Sequence, residues 1–280
     1  MIKIENWKVV GWEHAIKGMR NPLESHHKLD SRWRYDGVGA DDEFESDGNN
    51  PVEEYADYGF YIGSNDLDLM KRLSKAGTDH RKYMRMITVY MDITAPLYWW
   101  KEFDTYKIAT VANSCSTMHK IHAKEFTLDD FSHEHLLDDE DELWEDIMNG
   151  VYGDLKMIRG CLNTPLDDLY YNIDRLNMYR EIYLKINEAL KSNELYGADP
   201  VKQREKLKYR QKRVWWQMIQ SLPTTYNQKR TIMLNYEVLA NMYKSRKNHK
   251  LDEWRKLCEF IESLPYSELI TGEYQEVNRI

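Results

Sequence analysis

Cysteine is scarce in this chain: Cys115, Cys161 and Cys258 are the only three among 280 residues. Their odd number and wide spacing, without a CxxC pair, match neither a disulfide framework nor a zinc knuckle. We therefore expect reduced thiols and a cytoplasmic protein.

Long apolar runs are also missing. No stretch approaches the roughly 18 apolar residues that a membrane-spanning helix needs. The opening segment, MIKIENWKVVGWEHAIKGMR, lacks the apolar core and the cleavage site of a secretory signal. The sequence thus predicts a soluble protein with no membrane partner.

Positive charge is in deficit. The chain has 39 Lys and Arg against 47 Asp and Glu, which gives a formal net charge of -8 and an isoelectric point near 5.7. A general nucleic-acid coat needs a cationic surface that displaces counterions from phosphates. This balance argues against a nucleic acid polymer as partner and favours a small ligand.

Aromatic side chains are abundant, with nine Trp and twenty Tyr. A chain of this length typically buries roughly three quarters of its unfolded surface, so we expect a core or a pocket wall built from rings with polar tips. No internal repeat or low-complexity linker is visible. The mixture of helical and strand patterns predicts a single α/β (α+β) domain over residues 1–280.

Two segments stand apart in composition. Residues 36–54 are acidic, rich in Gly and Asn and interrupted by Pro51, which predicts an exposed acidic loop. Residues 125–213 predict a helical elaboration, whose acidic stretch contains His133-x-His135. A metal site is one interpretation of that pair, but the absence of a matched ligand set at helical spacing favours a solvated acidic face.

Periodicity predicts the first regular elements. Apolar spacing over residues 66–76 indicates a short helix that ends at Gly77. Apolar and polar residues then alternate over residues 87–94, which is the period of a half-buried strand, and Pro96 closes it.

Further helices are predicted downstream. Thr164-Pro165 is typical of an N-cap followed by Pro at the first helical position, and it begins a long amphipathic helix. The basic run KQREKLKYRQKR at residues 202–213 falls in another helix, either as a salt-bridged exposed face or as a phosphate-binding surface. Residues 225–247 and 249–264 predict two more helices.

The stretch SLPTTYNQKRTIMLNYEVLANMYKSRKNHKLDEWR, residues 221–255, resembles the C-terminal signature of the flavin-dependent (alternative) thymidylate synthases. In that family a Leu-Pro step precedes a helix with two Asn and an Arg, followed by a His and a Glu-Ile-Arg-like triplet. Within one continuous helix, Asn235 and Arg246 would lie roughly 16 Å apart on nearly the same side. The matching residues are Leu222-Pro223, Asn235, Asn241, Arg246, His249 and Glu253-Trp254-Arg255.

A second part of the chain resembles the same family in the same order. His80, the strand that begins near Ile87, and Ala95-Pro96 are similar to the family's His, strand and Ala-Pro step. The stretch TYKIATVANSCSTMH then lies where the family has its flavin-binding motif. The motif positions, starting with the Arg-His-Arg triplet, are Thr105, Tyr106, Lys107, Thr110, Asn113, Ser114, Ser116, Met118 and His119.

This motif has lost most of its cations. The pyrophosphate of FAD and the phosphate of dUMP are usually held by Arg forks or clustered backbone N–H groups. Lys107 is the one cation in the triplet, and it offers a point charge instead of a bidentate fork. Met118 stands where the family has Arg, which leaves His119 or the basic run 202–213 to compensate.

The resemblance implies a thymidylate synthase-complementing-protein-like fold, with a mixed or antiparallel sheet and long flanking helices, assembled as a homotetramer. It implies transfer of a one-carbon unit from methylenetetrahydrofolate to dUMP in dTMP biosynthesis, with FAD as cofactor and NADPH as co-substrate. A related deoxypyrimidine nucleotide is the other substrate considered. The alternative function is a nucleotide-binding or assembly module that has lost flavin chemistry.

The implied site residues follow the motif positions. Arg246 is the candidate catalytic residue, as a fixed cation beside negative charge that develops on the uracil. Candidate flavin contacts are His80, Thr105, Tyr106, Lys107, Asn113, Asn235 and Asn241, and candidate nucleotide contacts are Ser114, Ser116, His119 and Arg246, with no metal.

Four nearby side chains have alternative interpretations. Cys115 is a candidate nucleophile toward uracil, although a small buried thiol is the favoured interpretation. Trp99 and Trp100 are expected to pack in the core or at a subunit contact instead of stacking on a ligand. His80 suits a structural role as well as a flavin contact.

Overall fold

The computed structural model describes residues 2–33, 60–153, 162–192 and 199–272. The predicted acidic loop at residues 36–54 lies outside the described residues. Two compact units are present: residues 95–98 with 115–228, and residues 2–94 with 99–114 and 229–280. The expectation of a single domain over residues 1–280 stays a prediction.

Two sheets form in the described residues. The strands are β1 (Lys3–Val10), β2 (Arg32–Trp33), β3 (Phe60–Tyr61), β4 (Thr88–Pro96), β5 (Val111–Ser114) and β6 (Asn227–Asn235). The larger sheet has the order β1-β4-β6-β5, and its outer pairs β1–β4 and β5–β6 are antiparallel. Strands β2 and β3 form a separate antiparallel pair.

Ten α-helices lie in the described ranges. They are α1 (Trp12–Arg20), α2 (Ser64–Lys75), α3 (Leu97–Phe103), α4 (Thr117–Lys120), α5 (Glu142–Asn149), α6 (Pro165–Lys191), α7 (Pro200–Ser221), α8 (Tyr236–Arg246), α9 (Asp252–Glu262) and α10 (Glu268–Thr271). Short 3-10 turns occur at Asn21–Leu23, Ser25–Lys28, Arg81–Arg85 and Leu128–Asp130. None of the described helices combines the length and the apolar character needed to cross a membrane. The predicted fold class is confirmed: the structure is α+β, with long helices and a sheet whose outer pairs are antiparallel.

Several sequence predictions are confirmed. The predicted strand is β4, in which Val89, Met91 and Ile93 are buried and the residues between them are more exposed. The long helix α6 begins where the cap predicts, because the Thr164 hydroxyl accepts a hydrogen bond from the Asp167 N–H at 3.0 Å. The basic run lies within α7.

The predicted helix over residues 225–247 is wrong in its first half. That half is strand β6, in which buried Ile232 and Leu234 alternate with more exposed neighbours such as Thr231. Alternation with period two and β-branched residues favour a strand, and sheet pairing on both sides decides the outcome. Helix α8 starts only after Asn235, whose side-chain oxygen accepts the Val238 N–H at 3.0 Å as an N-cap.

Each unit has its own core. In the unit formed mainly by residues 115–228, α6 and α7 contribute Leu176 and Met218 to a core that also includes Phe126 and Phe131. In the other unit, Trp99 and Trp100 are 0% and 1% exposed, which confirms their predicted packing in the core. These rings anchor the element that carries the candidate site.

Candidate functional site

Arg246 is the last residue of α8 and lies in a cluster of polar and aromatic side chains. Its Nη1 is 3.0 Å from Oε2 of Glu102, and its Nε donates to Oη of Tyr106 at 3.1 Å. The guanidinium carbon lies 4.5 Å from the centre of the Trp254 ring. With 20% of its side chain exposed, Arg246 is a held cation that solvent can still reach.

Glu102 is the residue on which this cluster converges. Its Oε2 accepts hydrogen bonds from Arg246 and from the Trp254 indole N–H, the latter at 2.9 Å. Nε2 of His249 lies 3.6 Å from the same oxygen. Because Nδ1 of His249 accepts the Leu251 N–H, a neutral imidazole carries its proton on Nε2, which faces Glu102. One carboxylate thus faces three donors.

Aromatic packing sets the position of Glu102. Helix α3 directly follows Pro96 and buries Trp99 and Phe103 on its inner side. The Trp254 ring lies 4.9 Å from Trp99 and stacks at 18° to Phe103. Because these contacts fix the Trp254 indole, its N–H is held toward Glu102 on the outer side of α3. Sequence reasoning missed Glu102, although it lies only three positions before the triplet.

Tyr106 is the member of the predicted triplet that reaches Arg246. Thr105 and Lys107 on either side of it are exposed, and the Thr105 hydroxyl donates to the carbonyl oxygen of Glu102 at 2.7 Å. Tyr106 belongs to the stretch TYKIATVANSCSTMH and Arg246 to the signature at residues 221–255. The contact between them brings these two separately identified motifs together.

Two further motif residues of the same unit, Asn113 and Ser114, lie on the exposed edge strand β5. Asn113 and Ser114 are exposed, and they pair in register with Thr231 and Arg230 of β6. Arg230 is committed elsewhere, since it bonds Asp104 at 2.7 Å and lies 4.2 Å from the Trp100 ring centre. The predicted ligand roles of Asn113 and Ser114 stay predictions.

Asn235 and Asn241 do not converge with Arg246. Asn235 is buried just before α8, where its side-chain Oδ1 accepts the helix-capping hydrogen bond, whereas Arg246 ends that helix. Eleven residues at helical rise correspond to roughly 16 Å. One continuous helix was the condition for placing both side chains on one face, and it is not met, because Asn235 has extended backbone and precedes the first turn. The predicted ligand roles of Asn235 and Asn241 stay predictions.

Asn241 belongs to a second polar cluster beside α8. Its Oδ1 accepts a hydrogen bond from Nη2 of Arg81 at 3.1 Å, and Nε of Arg81 lies 2.8 Å from Oε2 of Glu237. The Glu237 side chain is 8% exposed, so this ion pair is largely desolvated. His80 precedes Arg81 and is exposed. Sequence reasoning missed Arg81, which is the residue that contacts Asn241.

Ser116, His119 and Cys115 belong to the other unit. The Ser116 hydroxyl accepts the His119 N–H at 3.1 Å and caps the short helix α4. Both Ser116 and His119 are exposed. The expectation that Cys115 is a buried thiol is wrong, because it follows an edge strand and is exposed, whereas burial in α9 raises the pKa of Cys258 to about 11.

A further polar cluster, which sequence reasoning did not identify, lies on the sheet. Asp92 of β4 accepts hydrogen bonds from the Thr231 hydroxyl at 2.6 Å and from the Asn6 amide at 3.0 Å, and Nζ of Lys229 is 3.1 Å away. The Thr231 hydrogen bond, with help from Asn6 and Lys229, lowers the pKa of Asp92 to about 2. Asp92 is thus a fixed anion at neutral pH.

The His133-x-His135 pair lies in the other unit. Nδ1 of His133 is 2.9 Å from the carbonyl oxygen of Phe131. Within the described residues, no three His, Cys, Asp or Glu side chains are grouped as a metal site requires.

Comparison with known proteins gives structural likenesses only. No protein-family model and no curated protein sequence matches the chain. Thymidylate synthase X of Helicobacter pylori, solved with FAD and dUMP, is 14% identical with a TM-score of 0.47, covering 97% of each chain. A second structure of flavin-dependent thymidylate synthase from the same organism, also with FAD and dUMP, is 13% identical with a TM-score of 0.47, covering 98% of this chain and 99% of that one. A UMP/dUMP methylase, PolB from Streptomyces cacaoi bound with 5-Br UMP, is 12% identical with a TM-score of 0.43 and coverage of 94% and 87%.

Proposed function

We propose that this chain is an enzyme similar to the flavin-dependent thymidylate synthases, which transfers a one-carbon unit from methylenetetrahydrofolate to dUMP or a related deoxypyrimidine nucleotide. Cytoplasmic dTMP biosynthesis by a homotetramer is part of the same proposal. The contact between Arg246 and Tyr106, at 3.1 Å, is the observation that carries it. These residues come from two motifs more than a hundred positions apart, and a shared site needs them to be neighbours.

Arg246 supplies the electrostatic part of the proposed chemistry. A pyrimidine that is attacked at its ring gains negative charge, and a preorganised cation stabilises that charge without reorganising. Glu102 and Tyr106 hold the guanidinium in one orientation, while the Trp254 ring covers one side of it. The exposed fifth of the side chain leaves the nucleotide a surface to approach.

The residues at the triplet positions do not fit FAD in the way that the family motif implies. Thr105 and Lys107 are exposed and offer a hydroxyl and one ammonium, whereas a pyrophosphate is best held by paired Arg forks. The side-chain Oδ1 of Asn235 already accepts the helix-capping hydrogen bond from the Val238 N–H. We therefore assign no reaction step to FAD, and FAD and NADPH remain predicted partners of the reaction.

A second candidate function is favoured by this same mismatch. A chain of this fold that binds a nucleotide through Arg246 but lacks flavin chemistry would serve as a nucleotide-binding or assembly module. The enzyme and a nucleotide-binding module both need the nucleotide and differ in the need for FAD, whereas a pure assembly module needs neither ligand.

A titration separates the two candidates. Purified protein is titrated with FAD, with and without dUMP, while visible absorbance and flavin fluorescence are followed, and dUMP binding is measured separately by calorimetry. Saturable binding of both ligands supports the enzyme. Binding of dUMP without FAD supports the nucleotide-binding module, and failure to bind dUMP under any condition contradicts both the enzyme and that module.

A further inference from the structure

The helical hairpin formed by α6 and α7 presents a cationic face that the described residues do not neutralise. Residues 202–213 contain seven Lys and Arg and a single acid, Glu205. Throughout the described ranges, none of these seven cations forms an ion pair with a carboxylate. Within those residues the structure gives the salt-bridged interpretation of the basic run no support. Seven cations without an ion pair in the described part of a chain of net charge -8 indicate a surface that meets an anionic partner.

The same face has an apolar groove of about 650 Å³ between the two helices. It is lined by Ile182 and Ile186 of α6, by Leu207 and Val214 of α7, and by cationic neighbours on α7. Ile182 is 38% exposed and Tyr209 beside it is 63% exposed. Apolar surface surrounded by like charges suits an acidic segment that also carries an apolar side chain.

The same unit contains a segment of that chemistry. Residues 138–146, DDEDELWED, contain seven acids and no Lys or Arg. None of these acids forms an ion pair within the described part of the chain. Helix α5 starts inside this segment, where the Asp141 side chain accepts the Leu143 N–H at 2.9 Å. Leu143 on the first turn of α5 is 45% exposed.

We propose that the acidic segment 138–146 of one copy docks in the α6–α7 groove of a second copy. Leu143 enters the apolar part of the groove, and the seven carboxylates face the seven cations of residues 202–213. A nucleic acid matches the charge but has no aliphatic side chain for the groove, so an acidic peptide segment fits better. Reciprocal docking about a twofold axis pairs two copies, and the proposed homotetramer would contain two such pairs.

The test uses two complementary sets of charge reversals. The groove variant is Lys206→Glu, Arg210→Glu and Arg213→Glu, and the segment variant is Asp139→Lys, Glu142→Lys and Glu145→Lys. Sedimentation velocity over a range of NaCl concentrations measures the self-association of the native chain and of each variant. We expect either variant alone to raise the dissociation constant at least about tenfold, because like charges then face each other. Salt weakens association of the native chain, since these charges lie at the surface.

Mixing the two variants is the decisive step. The acidic groove of one then faces the basic segment of the other, and the basic groove faces the acidic segment, so association returns only in the mixture. A matched control, Lys28→Glu, Lys82→Glu and Lys244→Glu, changes the net charge by the same amount and should associate like the native chain.

Three results would overturn the proposal. Native-like association of either single variant excludes the contact, and so does a mixture that stays dissociated. The third is an oligonucleotide that binds the native chain and not the groove variant, while self-association of both is equal. Circular dichroism confirms that these exposed substitutions leave the helices intact.

Discussion

Glu102 and Arg246 form an ion pair that links α3 to the end of α8, with Oε2 3.0 Å from Nη1. The same oxygen accepts the indole N–H of Trp254. The pair is partly exposed, so its Coulomb energy is modest, but the shared hydrogen bonds give Arg246 a defined orientation. Arg246, the proposed catalytic cation, is thus paired with the carboxylate of Glu102.

Removal of the Glu102 carboxylate tests this positioning. We expect Glu102→Ala to lower the free energy of unfolding by about 1–2 kcal/mol, because Arg246 and Trp254 lose a charged acceptor. Urea unfolding monitored by Trp fluorescence measures this change in the free energy of unfolding. The matched control is Asp104→Ala, which removes one exposed carboxylate bonded to Arg230 and should cost clearly less. Equal losses in the two variants would contradict the convergence on Glu102.

Arg246 itself is tested by kinetics. If it stabilises charge on the pyrimidine, Arg246→Ala should lower turnover by about a hundredfold or more, as removal of a preorganised donor typically does. Arg246→Lys should recover only part of the lost turnover, since an ammonium lacks the planar guanidinium fork that contacts both Glu102 and Tyr106. Unchanged turnover in Arg246→Ala, with an intact fold by circular dichroism, would remove this residue from the chemistry.

Two substitutions at Asn235 distinguish a helix-capping role of this side chain from a ligand-binding role. Asp is as good an N-cap as Asn, so Asn235→Asp should keep stability, whereas Asn235→Ala should cost about 1 kcal/mol. Thermal unfolding measures both. If Asn235 also contacts a flavin, Asn235→Asp would weaken FAD binding while stability is retained. We expect no such loss, because the structure commits this side chain to Val238.

The lowered pKa of Asp92 predicts how the stability of the fold depends on pH. Its pKa is about 2 in the folded chain and about 3.9 in an unfolded chain. A depressed pKa stabilises the fold fully above the unfolded value, and this contribution is lost as the pH falls from about 4 toward 2. Asp92→Asn should therefore flatten the pH dependence of the free energy of unfolding in that window. Superimposable native and Asp92→Asn curves would contradict the assignment.

Local signals predicted much of the fold because each acts over a few residues. Thr164-Pro165 marks the start of α6, and the alternation around Val89 gives β4, since a cap and a half-buried strand need no distant partner to be recognised. The stretch before Asn235 was misassigned because its apolar residues suit both periods, and pairing with β4 and β5 decides between them. No sequence spacing indicates that pairing.

The candidate site was predicted only in part, because its local motifs are visible in the sequence and its long-range contacts are not. Tyr106 and Arg246 came from separate motifs, and the structure places them in contact. Glu102 was missed because its role depends on where Trp254 and Arg246 arrive from the far end of the chain. Asn235 was placed with Arg246 on the assumption of one continuous helix, and the strand β6 removes that assumption.

The proposed one-carbon transfer is tested most directly by a product assay. The native chain is incubated with dUMP, methylenetetrahydrofolate carrying a labelled one-carbon unit, FAD and NADPH, and labelled nucleotide is separated and counted beside the Arg246→Ala variant. The proposal predicts label in the pyrimidine with the native chain and a loss of about a hundredfold or more in the variant. Absence of labelled nucleotide with native protein that binds dUMP would contradict it.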